Sequence, residues 1–120
     1  MYKKLNFKLF IDIFVYYLME NYKIITLCGS TKFKPVFEKV NLELTLRNKI
    51  ILQPGCFAHH DNINITEDQK IQLDNLHKEK ILMSDCIYII NENNYIGPST
   101  KSEIEYAIEN NKPIFYYYEV

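Results

Sequence analysis

Residues 24–31 read Ile24-Ile25-Thr26-Leu27-Cys28-Gly29-Ser30-Thr31, and this stretch decides the fold. A short, almost uninterrupted apolar run marks a strand buried on both faces. The Gly-Ser-Thr that follows it is a strand-to-helix turn, because Thr31 to Arg47 then carries Phe33, Val36, Phe37, Val40 and Leu44 at helical spacing. The same unit recurs downstream. Lys49 to Leu52 is a second apolar run, closed by Gln53-Pro54-Gly55, and residues 55–65 show no period and read as a loop. Thr66-Glu67-Asp68-Gln69 spells a capping box that opens a helix with Leu73, Leu76 and Ile81 on its apolar stripe. Cys86 to Ile90 (CIYII) is a third run, closed by Asn91-Glu92-Asn93-Asn94. Thr100-Lys101-Ser102-Glu103 spells a second capping box, with Ile104, Ala107 and Ile108 behind it and Asn110-Asn111-Lys112-Pro113 as the stop. Ile114 to Tyr118 is the last strand. The order β-α-β-α-β-α-β predicts an α/β fold whose parallel sheet is covered by helices on both faces.

At 120 residues, 48% hydrophobic and 24% charged, the chain has the size and composition of one globular domain. Lys plus Arg is 14 and Asp plus Glu is 15, a net charge of −1, which excludes the basic excess of a non-specific nucleic-acid binder. Cys28, Cys56 and Cys86 are odd in number and form no CxxC pair, which argues against a disulfide framework or a zinc site and for a reducing, cytoplasmic compartment. Residues 1–22 are aromatic and apolar, but Lys8, Asp12 and Glu20 interrupt a membrane span, and no small-residue cleavage site is visible. They read as an amphipathic helix packed on the domain or on another subunit, or as an extension upstream of a start at Met19. Residues 23–120 form the domain proper.

Gly29, Gly55 and Gly97 are the only glycines, and each follows one of the first three strands. Open α/β sheets bind ligands beyond the carboxyl ends of their strands, where glycine permits close backbone approach. The alternative is that the glycines simply end strands. Three constellations share this edge. Cys28-Gly29-Ser30-Thr31 runs into a helix N-terminus that favours an anion, a sugar hydroxyl or a phosphate, unless Ser30 or Thr31 serves only as a cap. The loop Gly55 to Asn62 offers Phe57, His59, His60 and Asp61 for substrate contact, a solvated loop being the alternative; adjacent histidines seldom chelate one ion well. Gly97-Pro98-Ser99-Thr100 leads to Glu103, read here in the first helical turn, where the helix N-terminus stabilises the carboxylate as an anion. Such a carboxylate can attack an anomeric carbon, or it can serve only as the acidic member of the capping box. His77 flanks an apolar stripe and reads by default as a satisfied core or boundary residue.

LCGSTKF, PGCFAHHD, SDCIYII and GPSTKSEIEYAIENNKPI, in this order and spacing, resemble the nucleoside 2-deoxyribosyltransferase-like family, which includes a deoxynucleoside monophosphate N-glycosidase branch. The resemblance covers about residues 22–118. It implies a flavodoxin- or Rossmann-like three-layer sandwich with a mostly parallel sheet of four to five strands. It also implies cleavage or transfer at the N-glycosidic bond of 2′-deoxynucleosides or their monophosphates. The family's nucleophilic glutamate falls at Glu103, its substrate-contacting glycine and serine at Gly29 and Ser30, and its small-residue loop at Gly97, Ser99 and Thr100. Asp85 matches an acidic residue common at the start of strand three, with a structural or a catalytic role. The family's leaving-group aspartate is replaced by His77, with Asp74 one turn away, and Thr26 stands where some members place a tyrosine. The implied reaction is a double displacement through a glutamate glycosyl-enzyme, with His77 or Asp74 as the acid and no metal or organic cofactor. Implied partners are a small nucleoside or nucleotide and a second copy of the chain, the aromatic N-terminal segment and the FYYY run supplying the interface; no nucleic-acid polymer and no membrane are expected. A nucleotide-binding sensor without catalysis and an NAD-type N-glycosidase are the competing readings.

Overall fold

The computed structural model describes residue 17 and residues 19–118. Most of the helix expected over residues 1–22 therefore lies outside the described residues. Met19 and Tyr22 belong to the domain's own packing: Met19 is buried in the core, and Tyr22 packs against it. The Lys49 ammonium donates to the carbonyls of Met19, Glu20 and Tyr22 at 2.7–3.1 Å.

The chain folds as expected into an α/β sandwich. Strands β1 (Ile24–Gly29), β2 (Ile50–Leu52), β3 (Cys86–Ile90) and β4 (Ile114–Tyr116) form one sheet in the order β2-β1-β3-β4. All three pairings are parallel. This is the arrangement of a Rossmann- or flavodoxin-like fold, with the strand order reversing between β1 and β3.

Side chains of successive strand residues point to opposite faces, so each buried strand feeds two cores. Ile25 and Leu27 of β1, with Cys86, Tyr88 and Ile90 of β3, face one side. There they meet Phe37, Val40 and Leu44 of helix α1 (Lys34–Thr45). Cys28, Ile87 and Ile89 face the other side, against Ile81 of helix α3 (Glu67–Met83) and Ala107 of helix α4 (Pro98–Glu109). A single turn, α2 (Ala58–Asp61), interrupts what the sequence presents as an aperiodic loop. In the FYYY run Tyr117 is buried, while Phe115, Tyr116 and Tyr118 are half-buried, Phe115 and Tyr118 against the α1 core and Tyr116 against the opposite one.

Two helices are phased differently from the sequence reading. Helix α3 begins at the capping box as expected, with Gln69 N donating to Thr66 Oγ1 at 3.1 Å and Thr66 N to Gln69 Oε1 at 2.9 Å. Its inward face, however, carries His77 and Ile81, while Leu76 turns outward at 44% exposure. The apolar residues of the helix are scattered around its circumference and do not fix its rotation, and one residue of phase error turns the stripe by 100°. Helix α4 starts at Pro98, not at Thr100. Gly97 is its N-cap and makes no side-chain cap bond. Proline at the first helical position has its φ preset for the helix and no N–H to satisfy. Thr100 therefore lies inside the helix and there is no capping box. The buried face is Thr100, Glu103 and Ala107, and Ile108 is 61% exposed.

Asp85 is structural. Its carboxylate accepts from the backbone N–H of Lys23 at 2.8 Å and of Ile24 at 2.9 Å, tying down the start of β1 at the end of the sheet away from the glycine loops. Gly29 is the tightest position in the sheet. Its φ is +155°, and a Cβ there would meet the Ile90 carbonyl oxygen at 2.5 Å. Substitution Gly29→Ala combines a disfavoured backbone conformation with a backbone clash, so it is expected to destabilise the domain by about 3 kcal/mol or more in urea titrations. An effect below about 1 kcal/mol would contradict this account of the strand end.

Candidate functional site

The carboxyl ends of β1, β2 and β3 open into a cavity of about 370 Å³. That is large enough for a small organic ligand. Gly29, Gly55 and Gly97 all line it, as the sequence predicts for this edge. Ser30, His59, Ser99, Asp74, His77 and Glu103 line it as well. The turn from β1 brings Ser30 to the wall, where its hydroxyl oxygen accepts from Lys32 N at 3.3 Å and caps a short 3-10 turn, Thr31–Phe33. His59 is held by its own N–H, which donates to Thr31 Oγ1 at 3.3 Å. At the rim the Lys70 ammonium joins α3 to the start of α4, donating to Asp74 Oδ2 and to Ser99 Oγ, both at 3.1 Å.

Three expected contact residues lie elsewhere. Phe57 is buried in the core, edge-on to Phe37 at 5.2 Å between centroids, because an aromatic ring just before α2 buries more apolar surface inward than at the cavity. Asp61 faces solvent and is taken up by Lys34 at 2.9 Å and His60 at 2.8 Å. Thr100 is 3% exposed on the inward face of α4, away from the cavity lining.

Two of the lining residues, His77 and Glu103, belong to a cluster the sequence does not announce, whose third member, Cys28, lies behind the wall. Cys28 from β1, His77 from α3 and Glu103 from α4 are all buried, with a ligating atom of each within 4.8 Å of the other two. His77 Nε2 lies 3.9 Å from Glu103 Oε1, beyond hydrogen-bond length. Both ring nitrogens of His77 and Glu103 Oε1 are buried without a well-formed hydrogen bond, their polar neighbours being the Leu27 carbonyl for His77 and the Cys28 thiol for Glu103. Of these three, sequence reasoning gave Cys28 no role of its own, naming it only as the start of the Cys28–Thr31 turn. Its signal was the alternation in β1, which sends Cys28 to the face opposite Ile25 and Leu27.

The second-turn position of Glu103 reverses the expected electrostatics. The helix N-terminus does not hold its carboxyl as an anion. Burial, reinforced by the nearby Asp74 charge, pushes Glu103 up from 4.5 to about 7, against the opposing pull of Cys28, Lys70 and Lys78. Burial, with the Lys80 charge, holds His77 down at about 4, although the Leu27 carbonyl and Asp74 act the other way. The Cys28 thiol is pushed well above its ordinary value by burial and by Glu103. Burial thus favours the neutral form of both groups, and holds the histidine neutral at pH 7. A carboxyl poised near neutrality in a cavity is suited to proton or group transfer.

Set against known proteins, the chain matches no family model, and a search of curated proteins gives no match. Among the described residues, no helix is long and apolar enough to cross a membrane.

The two shifts set opposite stability limbs. For Glu103, raised from 4.5 to about 7, stability is full at low pH and is lost as the pH rises between those values. For His77, lowered from 6.5 to about 4, stability is full above 6.5 and is lost as the pH falls toward 4. Glu103→Gln removes the first limb only. Its melting temperature should exceed that of the unmutated chain by several degrees at pH 8, a gain of up to about 3 kcal/mol, and by little at pH 4.5. An equal change at both pH values would contradict the buried, raised carboxyl.

Proposed function

We propose that this protein cleaves or transfers at the N-glycosidic bond of 2′-deoxynucleosides or deoxynucleoside monophosphates, with Glu103 as nucleophile. The observation that carries this reading is a buried glutamate at the glycine-edged cavity, with its Oε1 free of a well-formed hydrogen bond, beside a buried histidine in the same condition. Geometry supports a nucleophile paired with a proton carrier. The resemblance in motif order narrows the substrate class.

The reaction is a double displacement. In the reacting form the pair carries one proton, which rests on the Glu103 carboxyl because burial holds the proton affinity of His77 below it. As the substrate enters, this proton passes to His77 against that difference, leaving a carboxylate and an imidazolium whose mutual attraction offsets part of the cost. A Glu103 oxygen forms a bond to C1′ as the C1′–N bond breaks, and the departing pair stays on the base nitrogen. That nitrogen takes the proton from His77. The oxocarbenium-like transition state is stabilised by the carboxylate beside it. In the second half, water or a second base attacks C1′ and the Glu103 carboxylate departs. The proton of the water returns to the His77–Glu103 pair. Asp74, held by Lys70, sits at the same wall and lifts the proton affinity of Glu103. Ser30 and Ser99 hydroxyls and the Gly29 and Gly97 backbone face the sugar and its 5′ end. A second copy of the chain closes the open side of the cavity, and the protein works in the cytoplasm.

The test is chromatography of the purified chain with a panel of deoxynucleosides, their monophosphates and NAD, with and without an acceptor base. Release or exchange of base should fall on the order of 1000-fold or more in Glu103→Gln, which keeps the side-chain shape. Activity that survives this substitution would refute the nucleophile. Ligand-induced stabilisation with no turnover would move the protein to a nucleotide-binding sensor, and turnover of NAD alone to a ribonucleotide N-glycosidase.

A further inference from the structure

We propose that Cys28, His77 and Glu103 form a binding site for one divalent transition-metal ion of the zinc class, open toward the cavity on its fourth side. The three donor atoms come from three different elements of the scaffold and already lie within 4.8 Å of one another. A tetrahedral zinc-type ion, with metal–sulfur near ~2.3 Å and metal–nitrogen near ~2.0 Å, holds its ligands roughly 3.5 Å apart. The His77 Nε2 to Glu103 Oε1 separation of 3.9 Å is close to that, so the triangle closes with side-chain shifts of about 1 Å.

A second, independent observation points the same way. His77 is 6% exposed and Glu103 is 9% exposed, yet both His77 ring nitrogens and Glu103 Oε1 lack a well-formed hydrogen bond. Buried polar atoms without partners cost free energy, and natural folds keep few of them without a ligand or a reaction to serve. An ion would satisfy one ring nitrogen and the carboxyl oxygen together. In the bound state a thiolate and a carboxylate carry two negative charges beside a neutral imidazole, which cancels the charge of a divalent ion in a place that tolerates little net charge. The mixed sulfur, nitrogen and oxygen set favours zinc or cobalt over magnesium or calcium, which want oxygen alone. Three protein ligands with one side toward a cavity is the pattern of an accessible metal centre and not of a closed structural one. Cys56 lies at the cavity wall outside this triangle, and Cys86 faces the opposite core. Binding sends the Cys28 thiol proton, and any proton on Glu103, to solvent.

The ion engages the same carboxylate that attacks C1′ in the proposed reaction. Metal loading and turnover then exclude one another, and zinc acts as an inhibitor of the site. That consequence rests on the N-glycosidase reading; the metal site itself does not.

The experiment uses the full chain, stripped with a chelator and titrated with cobalt(II) chloride, then with zinc chloride, by absorption and calorimetry. Expected are one ion per chain, the visible spectrum of four-coordinate cobalt, a near-ultraviolet sulfur-to-cobalt band, and bleaching of both by zinc. Cys28→Ser should abolish the sulfur band and Cys56→Ser should leave it. His77→Gln and Glu103→Gln should weaken binding by at least the roughly 10–100-fold that losing even an outer partner costs a metal site. Absence of saturable binding, a sulfur band that survives Cys28→Ser, or one that vanishes in Cys56→Ser overturns the proposal. The spectrum of the unmutated chain decides even if a variant does not fold, because cobalt bound without the sulfur band excludes Cys28. Base release by the metal-free chain is read separately. A chain that shows the band but releases no base keeps the metal site and loses the glycosidase reading, and the converse loses the metal site alone.

Discussion

The structure depends on the close parallel contact of β1 with β3, which ends where Gly29 lies opposite Ile90. Both strands are buried on both faces and feed a core on each side, so a one-residue slip would send every side chain into the wrong core. The contact is tight enough at its end to leave no room for a Cβ. Because the strand order reverses between these two strands, the loops that leave them diverge to opposite sides of the sheet. The gap between them is the cavity. The position of the site is therefore a consequence of sheet topology, and the glycine loops are its lining.

Into this gap the fold places a group of side chains that does not serve stability. Two helices whose other buried residues are Ile81, Thr100 and Ala107 turn a histidine and a glutamate against the sheet, beneath the open cavity and beside a thiol. A leucine or methionine at either position would pack there at no polar cost. The 3.9 Å between His77 and Glu103, with neither bonded to the other, leaves the two imidazole nitrogens and Glu103 Oε1 without a well-formed hydrogen bond. Unsatisfied groups of this kind mark where a sequence keeps chemistry at the expense of packing. The shifted proton affinities of Glu103 and His77 follow from the same burial, so the geometry and the electrostatics are one observation seen in two ways.

The sheet was legible in the sequence because its strands are continuous apolar runs that no helix period explains. The glycine edge was legible because glycines are rare in this chain and sit only behind strands. Helix phase was not. In α3 the choice between Leu76 and His77 for the inward face depends on 100° of rotation, which its scattered apolar residues do not determine. In α4 the Thr100-x-x-Glu103 pattern matches a capping box, but Pro98 starts the helix earlier, and a carboxyl assigned to a first turn belongs to a buried second one. Glu103 was visible as a candidate on the glycine edge and the resemblance named it the nucleophile, but its environment emerged only from the packing of three elements. Cys28 was visible as a residue and hidden as a participant, since its partners are distant in sequence. Phe57 was misread because an aromatic in a loop serves a nearby core as readily as a ligand.

The most direct test of the account is intact-protein and peptide mass spectrometry after incubation with a 2′-fluorinated deoxynucleoside, whose fluorine slows hydrolysis of a glycosyl-enzyme. The account predicts a fluorodeoxyribosyl adduct, one per chain, on the peptide that contains Glu103. Base release without any adduct, or an adduct carried by a residue other than Glu103, would contradict it.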